Sequence, residues 1–161
     1  FDLTIMGRPP RSPAVEAHGL GDHPHLIIAP PEHPLAGREK VNPEELLAET
    51  FLTRELGSGT RILTERYLDR IGDGATYNRY ELGTNETIKQ AVIAGLGVAL
   101  ISAHTVMAEL DSGRLVRLKA PGLPLIRQWF VSYRKDRTLS AAAYRIREFF
   151  IGLEGSFLPK L

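Results

Sequence analysis

Strand-like and helix-like segments alternate along this chain, and that alternation constrains the fold more than any other feature. Short apolar runs at His25–Ala29 (HLIIA) and Gly97–Ser102 (GVALIS) read as strands, as do Phe51–Arg54, Asn78–Leu82 and Leu115–Leu118. Between them the period changes. Thr60–Ile71 sets Leu63, Tyr67 and Ile71 on one helical stripe with Leu68 beside them, and Gly72-Asp73-Gly74 ends it. Asn42 and Pro43 start a short helix through Leu47. Thr84-Asn85 caps one running to about Ala94, His104–Leu110 is a further short helix, and Ser140 caps the last, to about Leu153. Strands alternating with helices predict an α/β fold with a substantially parallel sheet.

The polypeptide begins inside a pattern. Phe1, Leu3 and Ile5 alternate with Asp2 and Thr4, so Phe1–Met6 reads as a strand and the chain as a piece of something longer. Three prolines within Gly7–Pro13 make that stretch a loop, and Ala14–Leu20 reads as short and extended. Two Pro-rich connections, near Ala29–Pro31 and Pro121–Pro124, bracket the middle of the chain. Residues 30–124 hold 11 Lys and Arg against 13 Asp and Glu; the remainder holds 9 against 6. A middle segment entered and left by separate linkers reads as one lobe inserted into another, with a ligand expected in the cleft between them.

Composition removes several functions. With 20 Lys and Arg against 19 Asp and Glu, the chain lacks the basic excess of a protein that grips a DNA backbone unaided. Having no cysteine, it has neither thiolate nucleophile nor Cys-held zinc. The longest apolar run, Ala91–Ala103, is 13 residues broken by two glycines and a serine. That falls short of the roughly 20 needed to span a bilayer, so no membrane role is expected.

Two junctions stand out for chemistry. Glu55-Leu56-Gly57-Ser58-Gly59-Thr60-Arg61 carries a strand into a helix start, where unpaired backbone N–H groups and the helix dipole favour an anion. Ser58 and Thr60 add hydroxyls and Arg61 a planar fork, although Ser58 also reads as a plain N-cap. There is no P-loop, because no Lys follows the second glycine. Gly83-Thr84-Asn85-Glu86-Thr87-Ile88-Lys89 repeats the arrangement, with Lys89 read as solvated. In open α/β sheets ligands gather at the carboxyl ends of strands, which also draws in Arg8 after the first strand. His23 and His25 share a strand face, but no partner stands at a fitting spacing, so no metal site is assigned. Ser102 and His104 lack a nucleophile elbow. Tyr67, Trp129 and Phe149-Phe150 read as core. No cofactor and no enzymatic activity are assigned.

FDLTIMGRPP, HLIIAPPEHPLAG, FLTRELGSGTR and TNETIKQAVIAGLGVALIS together resemble the effector-binding domain of LysR-type transcriptional regulators, in particular the branch controlling the RuBisCO operon. The resemblance covers nearly the whole chain. It implies a fold like that of type II periplasmic binding proteins, with two Rossmann-like lobes joined by crossover strands. Residues 30–124 would form the second lobe, and 1–29 with 125–161 only the later part of the first. The family's winged helix-turn-helix and the opening of lobe one are absent from the chain, including the Ser and Thr contacts of that lobe's first helix. The implied effector contacts are Arg8, Thr53, Glu55, Ser58, Gly59, Thr60, Arg61, Thr84, Asn85, Glu86 and Thr87. The implied ligand is a small anion, a phosphorylated metabolite or NADPH. The resemblance further implies a cytoplasmic homo-oligomer that meets DNA only through the absent N-terminal domain, and leaves room for RNA polymerase as a partner. A transport-type solute-binding protein is the main alternative, and an enzyme of the same general fold is a third. The first strand, a strand read at Arg127–Tyr133 around Trp129, and the final helix would pack on absent elements. The chain is therefore expected to expose an apolar surface and to associate through it.

Overall fold

The computed structural model describes residues 2–161; Phe1, at the head of the expected first strand, lies outside the described residues. The elements run β1 (Thr4–Met6), β2 (Val15–Ala29), α1 (Pro43–Leu47), β3 (Thr50–Thr53), α2 (Gly59–Gly72), β4 (Asn78–Glu81), α3 (Asn85–Ile93), β5 (Ala99–Ser102), α4 (Ala103–Asp111), β6 (Val116–Arg117), β7 (Leu125–Arg134) and α5 (Ala141–Gly152). They divide into two units, Phe1–Pro24 with Ile126–Leu161, and His25–Leu125. The breaks expected from sequence lie at 29/30 and 124/125, the first of them five residues further along the chain.

In the second unit the end of β2, β3 and β5 are buried on both faces, which is why they read as unbroken apolar runs, whereas the edge strand β4 is exposed throughout. Side chains leave a strand on opposite sides in turn. Ile27 and Ala29 of β2, Phe51 of β3 and Leu100 of β5 therefore join one cluster with Leu46 of α1 and Tyr67 and Leu68 of α2. Leu26 and Ile28, Leu52, Ala99 and Ile101 join the other, with Ile88 and Val92 of α3 and Val106 of α4. The result is three layers, helix–sheet–helix. Tyr67 is buried, and its hydroxyl donates to the Pro121 carbonyl at 2.9 Å. Burial pushes that phenol up to about 12.

The expectation of a substantially parallel sheet holds for only part of this unit. β3 and β4 are parallel, with Phe51 opposite Arg79 and Thr53 opposite Glu81. Val98, leading into β5, continues that direction beside Phe51. These are the strands joined through α2 and α3, the crossovers that parallel pairing needs. The last residues of β2 instead run antiparallel to both β5 and β6. Gly97 makes the close pairing with β3 possible: a Cβ there would stand 2.5 Å from the Thr50 carbonyl oxygen.

In the first unit β1 pairs antiparallel with β7, Thr4 opposite Ser132 and Met6 opposite Phe130. β7 is also hydrogen-bonded to β2. β2 is one strand of 15 residues where the sequence suggests two separate pieces. Glu16–Gly19 are exposed, so no apolar alternation marks them; pairing, not burial, holds them extended. The Trp129 ring, half-buried, stacks on His23 with centroids 3.9 Å apart. α5 starts where expected, the Ser140 hydroxyl accepting from the Ala143 amide at 3.2 Å. Its apolar set is not core, however. Only Ala143 is buried, and Phe149, read from sequence as core, is 64% exposed, with Tyr144 and Ile146 also exposed.

Candidate functional site

The carboxyl ends of β3 and β4 bring the two junctions into contact. β3 closes on Thr53, buried, whose hydroxyl donates to the Tyr80 carbonyl at 3.4 Å and whose carbonyl accepts from Leu82. The next residue, Arg54, binds both junctions. Its Nε and Nη2 donate to the two Glu55 carboxylate oxygens at 2.7 and 2.8 Å, and its Nη1 donates to Asn85 Oδ1, on the first residue of α3, at 2.9 Å. The hydrogen bonds from Arg54 hold the Glu55 carboxyl below the ordinary carboxylate range.

At the start of α2 the backbone turns through Gly57, whose φ of +89° favours glycine, into Ser58 as N-cap. The Ser58 side chain makes no cap hydrogen bond, and the first turn carries no carboxylate. A Cβ at Gly59 would meet nothing, so the backbone there is open on its outer side. Thr60 turns its carbonyl to the Thr64 hydroxyl at 2.9 Å. Helix geometry leaves the first amides without intrahelical acceptors, and the dipole makes them attractive to negative charge.

The start of α3 is already occupied. Thr84 Oγ1 accepts from the Thr87 amide at 3.0 Å and lies 2.8 Å from the Thr87 hydroxyl. Glu86 sits in the first turn and pairs with Lys89 at 2.8 Å. The sequence reading had Lys89 solvated; it is buried, between Glu86 and Glu109 of α4 at 3.0 Å. Hydrogen bonding to Glu86 first, and then to Glu109, raises its pKa.

Arg61 is likewise buried and committed. Its Nε meets Glu65 at 2.8 Å, its Nη1 meets Glu81 at 2.5 Å, and a longer contact reaches the Arg54 carbonyl at 3.4 Å. The Glu65 hydrogen bond leads the rise in its pKa. Glu55, Arg61 and Asn85 thus form one bonded cluster around Arg54, with Thr53 before it bonded to β4 and Ser58, Gly59 and Thr60 at the open helix start. Thr84, Glu86 and Thr87 belong to the occupied one. Arg8 lies exposed in the first unit, in the loop after β1. Sequence reasoning missed Arg54, although it follows β3 directly and the strand-end logic applied to Arg8 also selects it. It also missed the Lys89 pairing, which the three-residue step from Glu86 signals.

The family model of the LysR substrate binding domain matches residues 1–153. The chain belongs to that family. Among relatives of this LysR domain, the HTH-type transcriptional regulator CbbR of Cereibacter sphaeroides is 54% identical over 158 residues, covering 98% of this chain and 51% of the relative. The RuBisCO operon transcriptional regulator of Allochromatium vinosum is 45% identical, covering 93% and 49%. The LysR domain therefore spans about half the length of the curated relatives it matches. Among solved structures, the CcmR regulatory domain of Synechocystis PCC6803 in complex with 2-PG superposes with a TM-score of 0.88 at 30% identity, covering 97% of this chain and 74% of that one. These relatives are regulators, and nothing among them favours a transport-type solute-binding protein. The type II periplasmic-binding-protein-like fold implied by the sequence resemblance is the fold of this family.

Proposed function

We propose that this LysR domain is the effector-sensing part of a transcription regulator of carbon-fixation genes, and that its effector is a small phosphorylated anion bound at the start of α2. The observation that carries the reading is the contrast between the two helix starts. The α3 start is filled by the Thr84 hydroxyl and Glu86, whereas the α2 start has an uncommitted Ser58 side chain and no carboxylate in its first turn. Open amides, a free hydroxyl and a nearby guanidinium are the groups that receive a phosphate. The complex of the CcmR regulatory domain with 2-PG supports the ligand class.

The domain binds without turnover, and its output is a change in how the whole protein engages DNA, through a part this chain does not span. Asn85, bonded to Arg54, stands as a further contact, and the working form is a homo-oligomer. The test is thermal unfolding of the whole regulator with 2-phosphoglycolate and with NADPH. A ligand at 100 times its Kd adds about 2.7 kcal/mol of stability. A phosphorylated ligand that raises Tm, and is recovered chemically unchanged, is the expected result. No shift with any phosphorylated metabolite would remove the proposal.

A further inference from the structure

Three cations lie at the two helix starts and are not equally held. Arg61 and Lys89 are buried, each between two carboxylates. Arg54 has one carboxylate and one neutral amide, and its side chain is 22% exposed against 6% for Arg61. The Nε–Nη2 edge of a guanidinium takes a carboxylate or a phosphate in the same two-point manner. Glu55 now fills that edge, and its own side chain is 44% exposed. An ion pair so open to water contributes little, and a freed Glu55 rehydrates at small cost. Asn85 holds Nη1 independently, so Arg54 stays aimed when Glu55 leaves.

We infer that Glu55 is an internal competitor: its carboxylate holds the fork of Arg54 that the ligand's anionic group takes, and binding exchanges one for the other. This rests on the phosphorylated-anion reading above and adds how that site is regulated. The exchange keeps Arg54 paired when the site is empty. It lowers apparent affinity by the fraction of time the fork is closed. It also favours a dianionic phosphoryl group over a monoanionic carboxylate, because the incoming group must outbid a carboxylate already in place.

The experiment is calorimetric titration of the whole regulator with 2-phosphoglycolate, in the wild type, Glu55→Gln, Arg54→Gln and the double variant. Removing the competitor is expected to tighten Kd about 2- to 5-fold. Arg54→Gln is expected to weaken it about tenfold or more. Adding Glu55→Gln to Arg54→Gln is expected to change nothing further, since the two act as one unit. A purely structural Glu55 would give neither a gain nor its dependence on Arg54. Glu55→Ala removes the same carboxylate and must move affinity the same way. Unchanged or weakened binding in both Glu55 variants, while the wild type binds, overturns the exchange alone. If neither the wild type nor Glu55→Gln binds 2-phosphoglycolate or NADPH, the proposed function fails and the exchange with it.

Discussion

Arg61 shows how a single residue type carries two readings. From sequence it is a fork at a helix start, free for an anion. In the fold its guanidinium is buried against Glu65 and Glu81, tying α2 to the end of β4. Arg61→Ala is therefore expected to lower Tm, because two carboxylates lose a shared buried cation; an unchanged Tm would contradict this role. Spacing could not reveal the commitment, since Glu81 lies 20 residues away. Tyr67 is the opposite case, legible as core from its helical stripe. Tyr67→Phe should cost about 1 kcal/mol for the lost bond to Pro121. It should also change the alkaline limb of stability. The folded phenol ionises near 12, above the ordinary value of 10, so this stabilisation is complete below pH 10 and lost as pH rises toward 12. Urea unfolding across that range should fall less steeply in Tyr67→Phe than in the wild type.

Elements were legible where burial is two-sided or a cap is local. β3, β5 and the caps at Asn42, Thr84 and Ser140 follow from apolar runs and from hydroxyl or amide side chains before helical periods. The joined length of β2 was not legible, because its first residues are held by pairing with β7. Strand direction was misjudged for a related reason: alternation predicts parallel pairing only where a helix joins neighbours, and the end of β2 enters from another unit. At this scale the Thr84 cap can be weighed. Thr84→Ala should cost about 1 kcal/mol by chemical denaturation. Gly97→Ala should cost about 1–3 kcal/mol, since backbone must move off the Thr50 carbonyl. A neutral Gly97→Ala would mean that β3 and the entry to β5 are not held so closely.

The whole molecule carries an apolar surface on its first unit. Ile5, Ile126, Tyr144, Ile146 and Phe149 are all between 43% and 64% exposed. Ile5 and Ile146 line one pocket with Leu3, Ala143 and Phe150, and contiguous apolar surface of this kind marks contact sites. The chain by itself is expected to self-associate by light scattering at high concentration, and Ile146→Ser with Phe149→Ser to shift it toward monomer. A wild-type chain that stays monomeric would contradict this. The proposed ligand site lies in the other unit and makes a separate demand. The most direct test is the crystal structure of the whole regulator with 2-phosphoglycolate bound. The expected density puts the phosphate within hydrogen-bond reach of the Ser58 hydroxyl and the Gly59 and Thr60 amides, with Glu55 turned away from Arg54. A phosphate bound elsewhere, with the Arg54–Glu55 pair intact, would contradict both the site and the exchange.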